Sequence, residues 1–215
     1  MKKTETRQRI ILAAIDIINT DGTEAITTRR IAETANVNTA AMNYYFGSKE
    51  NLIEQVLHIT LSHIFDDWDM ILDYDNLSTP EKIFFLIDYM IAGISMYPGL
   101  TGSYLFDSSV NTEIKKIFIE RLDKLLDAFT SKLTGSSSLS PEKTKLYLGQ
   151  IVLSAISASM IPESFEMLTG GDINSRTARR KYILPLVKAI PGIELELTLS
   201  FLERTEELRK KAFKA

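Results

Sequence analysis

The sequence predicts an all-α protein, with an N-terminal three-helix segment followed by a larger C-terminal helical bundle. Apolar residues recur at spacings of three and four along most of the 215-residue chain, and capping residues, glycine and proline separate the helical stretches. Apolar residues make up 45% of the chain and charged residues 25%, which is ordinary for a globular protein and excludes a disordered or fibrous one.

The predicted amino-terminal segment has a longer first helix followed by two short ones. Apolar residues over 10–18 form a buried helical face, and Asp21 with Gly22 ends this helix. Thr27 can cap a second helix that runs to Thr34. Such short, closely spaced helices are typical of a small helical domain.

A tight turn and a third helix, also short, follow. Asn36 is one of the few residue types besides glycine that tolerate the left-handed backbone of such a turn. The third helix begins at residue 38 or 39 and runs to about residue 46, because Gly47 is a natural stop. Ser48 then caps a fourth helix over residues 49–73.

Longer helices are predicted for the rest of the chain. Thr79-Pro80 opens one that ends at Pro98-Gly99, and an irregular piece follows to Ser109. Further helices are predicted near residues 111–133, 141–168 with a kink at Pro162, 176–189 and 194–211. The stretch "IELELTL" alternates like a strand, but it is assigned to the last helix because there is no second strand signal for it to pair with.

The second and third predicted helices, joined by a tight turn and braced by the first, have the order of a helix-turn-helix. In this motif the later helix, here the third, enters the DNA major groove. Charge placement supports this interpretation: Arg29 and Arg30 follow the cap Thr27, and Lys49 follows the cap Ser48, although cations are disfavoured in the first turn of a helix. A bound phosphate would reverse that preference. Residues 1–49 carry seven Lys/Arg against five Asp/Glu, so the amino-terminal quarter is the basic end of a chain whose net charge is −3.

The run Tyr44-Tyr45-Phe46 fits the same interpretation. The two tyrosine hydroxyls can donate to phosphate while Phe46 anchors the third helix in the core. Asn43 and Thr39 are the better candidates for reading bases, because asparagine can pair bidentately with adenine and a threonine methyl can meet the thymine methyl. The alternative is that these are ordinary surface and core residues.

The quoted stretch "TTRRIAETANVNTAAMNYYFGSKENLIEQVL", preceded by "IILAAIDIINTDG", closely resembles the DNA-binding domain of the TetR/AcrR family of bacterial transcriptional regulators over about residues 7–57. The resemblance implies a homodimer with a DNA-binding domain at 1–57 and a ligand-binding and dimerisation domain at 58–215. The positions that fall where the family contacts DNA are Thr27, Thr28, Asn38, Thr39, Ala40, Asn43, Tyr44, Tyr45 and Lys49. Arg29 joins this predicted set through its place after the cap of the second helix.

Two positions depart from the family pattern. Asn36 stands where the family usually has glycine, and its tolerance of the left-handed conformation accounts for the exchange. Asn43 stands where tyrosine is commonest. Its role is therefore open between base reading, phosphate contact and neither.

The helix over residues 80–97 is apolar almost all round, which predicts a place inside the bundle. Its polar exceptions Glu81, Asp88 and Ser95 repeat every seven residues, so they form either a solvent edge or the polar side of a pocket. Aromatic and methionine residues here and nearby predict a pocket for a small apolar or aromatic effector in this region, although the core is the stronger interpretation of each residue taken singly. The predicted effector-binding residues are Trp68, Phe85, Tyr89, Met96, Tyr104 and Phe118.

The helix over residues 141–168 is the predicted dimerisation element. Its centre, "LGQIVLSAISASM", is uncharged and rich in small residues, which lets another helix approach closely. A buried helix within one chain would show the same pattern.

Several function classes are excluded by what the sequence lacks. There is no cysteine, and no HExxH, P-loop or G-x-S-x-G motif occurs, so we predict neither an enzyme nor a metal or other cofactor. His58 and His63 share no helical face, and Asp66, Asp67 and Asp69 are either solvated or a cation-seeking group. We expect no signal peptide and no membrane span, which suits a cytoplasmic protein.

These observations together predict a ligand-responsive transcriptional regulator. The primary hypothesis is a repressor that binds a palindromic double-stranded DNA operator as a homodimer and is released by a small-molecule effector. The alternative is a DNA-binding regulator without such an effector, which is controlled by a protein partner or acts as an activator.

Overall fold

The computed structural model describes residues 2–108, 110, 112–135 and 137–212. Over these residues the chain forms eleven α-helices and one short 3-10 helix, and its one β-type pairing is an isolated bridge between Thr134 and Ser137. The all-α prediction is therefore confirmed. The helices are α1 Lys2–Asp21, η1 Thr23–Ala25, α2 Thr28–Thr34, α3 Thr39–Phe46, α4 Lys49–Asp73, α5 Thr79–Met96, α6 Pro98–Leu105, α7 Thr112–Leu133, α8 Pro141–Met160, α9 Pro162–Thr169, α10 Arg176–Lys188 and α11 Leu199–Ala212.

Two compact units make up the chain. The first contains Met1–Ser62 and Tyr97–Ile119, and the second contains residues 63–96 and 120–215. The first unit thus holds α6 and the start of α7 in addition to the three amino-terminal helices. The functional division at residues 57 and 58 remains a prediction.

The first unit is organised around α1, which packs against η1, α2, α3 and α6. Its buried face carries Ile10, Ala14, Ile17 and Ile18, all at the three-and-four spacing seen in the sequence. Where α6 meets α1, a Cβ atom on Gly99 would overlap the carbonyl oxygen of Ile18, so only glycine fits this contact.

Pro98 and Pro162 each start a new helix. The sequence predicts an irregular piece after Pro98 and a kink within one helix at Pro162. The stretch after Pro98 forms α6, so the prediction of irregular chain to Ser109, which itself lies outside the described residues, is wrong. The predicted single helix over 141–168 is likewise two helices, α8 and α9, which meet at an angle of 106°. Pro98 and Pro162 each occupy the first turn of the new helix, where the missing N–H has no intrahelical acceptor to lose.

The other boundaries differ by less, except near the carboxy terminus. α7 begins at Thr112, and the predicted start at Asn111 lies outside the described residues. The predicted helix over 194–211 is wrong over residues 194–198, because α11 begins only at Leu199. Ile193 and Leu195 are buried while the glutamates between and after them are exposed, so "IELELT" is an extended segment with alternating burial and no partner strand in the described chain.

The second unit is built around α5, which packs against α8, α10 and α11. Side chains are buried on every side of α5, as the apolar pattern predicts. The polar stripe on this helix is not a solvent edge, because Asp88 is only 3% exposed and Glu81 forms an ion pair with Arg204 of α11. Over the described residues, no single helix is long and apolar enough to cross a membrane, although two bent pairs of consecutive helices meet the same length and composition test.

Candidate nucleic-acid interface

Side-chain caps fix the starts of the helices that carry the predicted DNA contacts. At α2, α3 and α4 the side chains of Thr27, Asn38 and Ser48 each accept a hydrogen bond from the backbone N–H three residues later, at 3.1, 2.8 and 3.1 Å. Each cap satisfies one of the N–H groups that a helix start leaves without an intrahelical partner. The remaining N–H groups of the first turns are the ones that an anion can use.

The turn between α2 and α3 is stabilised by a backbone hydrogen bond of its own and by a hydrogen bond from α1. Asn36 has φ of 51°, the left-handed conformation predicted for it, and the Val37 N–H donates to the Ala32 carbonyl at 2.9 Å. The Arg9 guanidinium of α1 donates to the Asn36 carbonyl at 2.8 Å. Sequence reasoning missed this role of Arg9, because no local spacing connects two residues 27 positions apart.

Phe46 ties the end of α3 to the unit, as predicted. Its side chain is 2% exposed, and the guanidinium carbon of Arg7 lies 5.4 Å from its ring centroid. Arg7 also donates to the Gln55 side chain at 2.8 Å, and the Asn51 side chain donates to the Phe46 carbonyl at 2.7 Å. These contacts hold the position of α3 relative to the first turns of α4.

The predicted DNA-binding residues all keep accessible surface. On α3 the buried Met42 and Phe46 lie opposite an exposed face that includes Asn43 and Tyr44, the latter 68% exposed. The exposed members of the set are Thr27, Arg29, Asn38, Thr39, Ala40, Asn43, Tyr44 and Lys49, and Thr28 and Tyr45 are half-buried. The helix therefore presents small, amide and phenol groups together on one side, and their contact with DNA remains a prediction.

The cations at the helix starts have carboxylate neighbours within the chain. Arg29 donates to Glu33 at 2.8 Å, Arg30 pairs with Asp21, and the Lys49 ammonium lies 4.0 Å from the Glu50 carboxylate. The Thr20 hydroxyl, and after it the Arg30 guanidinium, lower the pKa of Asp21. Because exposed pairs of this kind contribute little, a phosphate can compete for these cations.

The predicted effector-binding residues fall in both units. Tyr104 and Phe118 lie in the first unit with their rings stacked at 5.9 Å between centroids, and burial raises the pKa of Tyr104 to about 12. Trp68, Phe85 and Tyr89 are buried in the second unit, where the Tyr89 hydroxyl contacts Asp67. In the same unit Met96 is 54% exposed and lines a surface cleft. The effector-binding role of these six residues remains a prediction.

No group of three or more histidine, aspartate or glutamate side chains is arranged to hold a metal ion in the part of the chain that the structure describes. Burial raises the pKa of Asp67 even though its carboxylate accepts from the Tyr89 hydroxyl. Asp69 pairs with Arg121. Two of the three aspartates near the start of the second unit are therefore engaged by neighbouring side chains.

Known proteins share this amino-terminal arrangement. The family described as "Bacterial regulatory proteins, tetR family" matches residues 10–56, which run from α1 into α4. The HTH-type transcriptional regulator BetI of Rhizobium meliloti (strain 1021) is 39% identical over 61 residues, which cover 28% of this chain and 30% of BetI. The nucleoid occlusion factor SlmA of Vibrio campbellii (strain ATCC BAA-1116) is 31% identical over 101 residues, which cover 46% of this chain and 51% of SlmA. The matches span about a third to a half of the length of these relatives.

A solved structure extends the similarity of fold over most of the chain. The transcriptional regulator FadR from Bacillus subtilis, in complex with stearoyl-CoA, superposes with a TM-score of 0.64 over 87% of this chain and 99% of that one. The two sequences are 18% identical. At this identity the likeness shows a shared fold and nothing finer.

Proposed function

The chain belongs to the TetR family of bacterial regulatory proteins, and we propose that it is a repressor that binds a palindromic operator as a homodimer and leaves it when a small-molecule effector binds. Members of this family are DNA-binding transcriptional regulators and not enzymes, and they act as dimers with small-molecule ligands. The observation that carries the proposal is the exposed face of α3, which is capped at Asn38 and anchored at Phe46.

The exposed groups of α3 suit base reading. Asn43 offers an amide that can accept and donate at once to adenine, and Thr39 offers a methyl and a hydroxyl. Both lie on a helix whose position is fixed by buried and hydrogen-bonded neighbours, so their reach toward the groove is set by the fold. We assign them the sequence-specific part of operator binding.

The residues at the helix starts and the tyrosines suit phosphate contact. Thr27, Thr28 and Arg29 lie at the start of α2, Asn38 and Ala40 at the start of α3, and Lys49 at the start of α4. Backbone N–H groups and cations at such helix starts bind phosphate without reading sequence. Tyr44 and Tyr45 can add their hydroxyl groups to the same backbone.

Dimerisation is assigned to α8 with α9. Along α8 the outward face carries Leu146 and Leu153, which are 60% and 63% exposed, while its other face is buried in the second unit. Met167 and Leu168 of α9 are 85% and 83% exposed. Exposed leucine and methionine side chains on consecutive helices favour a contact with a second copy, and a dimer is what a palindromic operator requires.

An apolar or aromatic effector is supported by the buried aromatic side chains Trp68, Phe85 and Tyr89 of the second unit and by one structural neighbour. The Bacillus subtilis FadR of the same fold holds stearoyl-CoA, whose acyl chain is apolar. The effector would act by favouring a different separation of the two reading helices from the one that fits the operator.

A second candidate is a DNA-binding regulator without a small-molecule effector. It would be controlled by a protein partner or act as an activator, and it is favoured by the division of the six predicted effector-binding residues between the two units. Thermal unfolding with a library of lipophilic and aromatic compounds separates the two candidates. Only an effector-binding protein gains stability from a member of the library.

The proposal is tested by selecting bound sequences from a random DNA pool at two salt concentrations. We expect an inverted repeat whose affinity falls steeply as salt rises, because each phosphate contact releases counterions. The control is the double variant Thr39→Ala, Asn43→Ala, which keeps the caps and core of α3 and should enrich no sequence. Recovery of the same sequences by this variant, or no inverted repeat from the wild type, would contradict the proposal.

A further inference from the structure

A cleft of about 610 Å³ opens on the second unit beside an unusual concentration of arginine. It is bordered by the carboxy-terminal end of α5, the start of α10 and the second half of α11. Its charged lining residues are Arg179, Glu206, Arg209 and Lys210, and Ala92 and Met96 form an apolar side. None of these belongs to the predicted DNA-contacting set.

One buried carboxylate lies between two guanidinium groups, Arg179 and Arg209, that line the cleft. Asp88 of α5 is 3% exposed, accepts from Arg179 Nε at 2.9 Å and contacts Arg209 through its other oxygen. Arg179 is itself 7% exposed and also donates to the Asn174 carbonyl at 2.7 Å. Asp88 thus shares its single negative charge between the buried Arg179 and the part-buried Arg209.

A second carboxylate, Glu206, lines the cleft and also has two arginine neighbours. Glu206 contacts Arg176 and lies 4.0 Å from Arg180, so one carboxylate again serves two arginines, and Lys210 adds a further positive charge. We define the arginine cluster as Arg176, Arg179, Arg180, Arg209 and Lys210 with Asp88 and Glu206. Its five cations and two carboxylates give a net charge of +3, and the neighbouring Glu81 and Arg204 pair balances itself.

Mutual repulsion within the cluster is visible at Arg176. Burial lowers the pKa of Arg176, and the nearby Arg209 and Arg180 lower it further. Two uncharged polar residues, Asn174 and Ser95, also line the cleft, and the buried Ser95 hydroxyl has no hydrogen-bond partner among the described residues. The stripe formed by Glu81, Asp88 and Ser95 therefore runs along α5 into the cleft.

We propose that this cleft binds an oxyanion, a phosphate or carboxylate group carried by a small molecule with two or more negative charges. The guanidinium groups of Arg179 and Arg209 and the Lys210 ammonium supply its charge partners, and the Ser95 hydroxyl can donate to it. Such an anion offsets the net +3 of the arginine cluster and bridges α5, α10 and α11. The site shares Met96 with the predicted effector-binding residues, but it goes beyond the proposed function because its ligand is charged, whereas the effector proposed above is apolar or aromatic.

The test uses the full chain, with inorganic pyrophosphate and citrate as separate probes. Thermal unfolding is recorded with each probe and with sodium chloride at the same ionic strength, and titration calorimetry gives Kd. We expect pyrophosphate to raise Tm beyond the effect of chloride, because a ligand that binds only the folded state stabilises it. The readout involves no DNA, so its failure leaves the proposed repressor function untouched.

Matched charge reversals place the binding in the cleft. Lys210→Glu should weaken pyrophosphate binding by about tenfold or more, because it replaces a charge-assisted partner with a repulsive one. Lys188→Glu makes the same change in net charge at an exposed residue at the other end of α10 and should bind as the wild type does. Lys210→Gln removes the positive charge without adding a negative one, so it should also weaken pyrophosphate binding while disturbing the fold less.

Each result decides the proposal. Stabilisation by pyrophosphate alone assigns the site to phosphate groups, and stabilisation by both probes assigns it to oxyanions in general, provided that the Lys210 variants lose it. No stabilisation beyond that of chloride would overturn the proposal, and so would an equal loss in Lys188→Glu. The arginine cluster would then act only to hold α10 and α11 against α5.

Discussion

The α2–α3 segment and the region around Asp88 use polar groups in opposite ways. In the α2–α3 segment the polar side chains that are not caps lie at the surface, and the turn at Asn36 is held mainly by backbone hydrogen bonds and Arg9. Around Asp88 the charged groups are buried and join three helices. The first arrangement leaves polar groups accessible to a partner, whereas the second joins three helices through ion pairs.

This difference predicts where charge matters most for stability. An exposed ion pair contributes about 0 to 1 kcal/mol, whereas removing one partner of a buried pair costs about 3 to 5 kcal/mol. Substitutions in the α2–α3 segment should therefore change DNA binding with little effect on folding. Substitutions around Asp88 should mainly lower the free energy of unfolding.

The largest expected effect is that of Asp88→Asn. The variant leaves Arg179 and Arg209 without their shared carboxylate, so we expect a loss of about 3 to 5 kcal/mol in the free energy of unfolding. Urea denaturation followed by circular dichroism measures it.

The matched control for Asp88→Asn is Asp123→Asn, which removes a carboxylate that is 59% exposed and pairs with Lys145. Lys145 keeps Asp127 as a second partner, so we expect a loss of no more than about 1 kcal/mol. Equal losses in the two variants would contradict the contrast between buried and surface charge.

The next prediction concerns the exposed apolar face of α8, which contrasts with the buried charged groups around Asp88 in the same unit. Leu153→Asp on α8 should raise the Kd of the homodimer by about 100-fold, because it places a charge at the centre of the proposed interface in both copies. Light scattering over a range of concentrations measures the dimer population. Leu199→Asp, at a leucine that is 81% exposed outside α8 and α9, is the control and should leave the dimer intact.

A wild-type chain that remains monomeric at micromolar concentration would remove the interface assignment. So would a Leu153→Asp variant that dimerises as the wild type does.

What the sequence could predict follows the range of the interactions involved. The caps at Thr27 and Ser48 and the left-handed Asn36 are set by neighbours within a few residues, so capping and turn preferences located them correctly. The pairing of Asp88 with Arg179 and Arg209 joins residues 91 and 121 positions apart, and no local pattern contains that information. The sequence could therefore show the polar stripe on α5 but could not show which of its two alternatives holds.

Pro98 and Pro162 each start a helix that the sequence did not predict, which shows a limit of rules based on neighbouring residues. Proline ends a helix and also occupies the first turn of the next one, so its position alone does not distinguish a stop from a restart. At Pro98 the restart is tied to a long-range contact, since Gly99 packs against α1 and its N–H donates to the Asn19 side chain at 3.2 Å. Such contacts between helices lie beyond periodicity and capping signals.

A smaller effect tests whether α3 reads bases. Asn43→Ala and Thr39→Ala should each cost about 1 to 3 kcal/mol at particular base pairs of the selected operator if the side chain contacts a base edge. Binding to single-base operator variants measures it, with random DNA as the reference. Both side chains are exposed, so urea denaturation should show little change. Equal losses on specific and random DNA would assign these residues to the backbone instead.

The smallest expected effect is that of Lys49→Ala. Its ammonium lies at the start of α4, where it can hold phosphate, so its removal should weaken binding to all sequences alike and lower the slope of log K against log salt by about one. Lys124→Ala, an exposed lysine on α7 in the second unit, changes the net charge equally and should leave the slope unchanged. An unchanged slope for Lys49→Ala would refute the phosphate contact, and altered base preference would mean that Lys49 reads sequence. Either result would contradict the assignment of base contacts to α3 and of phosphate contacts to the starts of the helices.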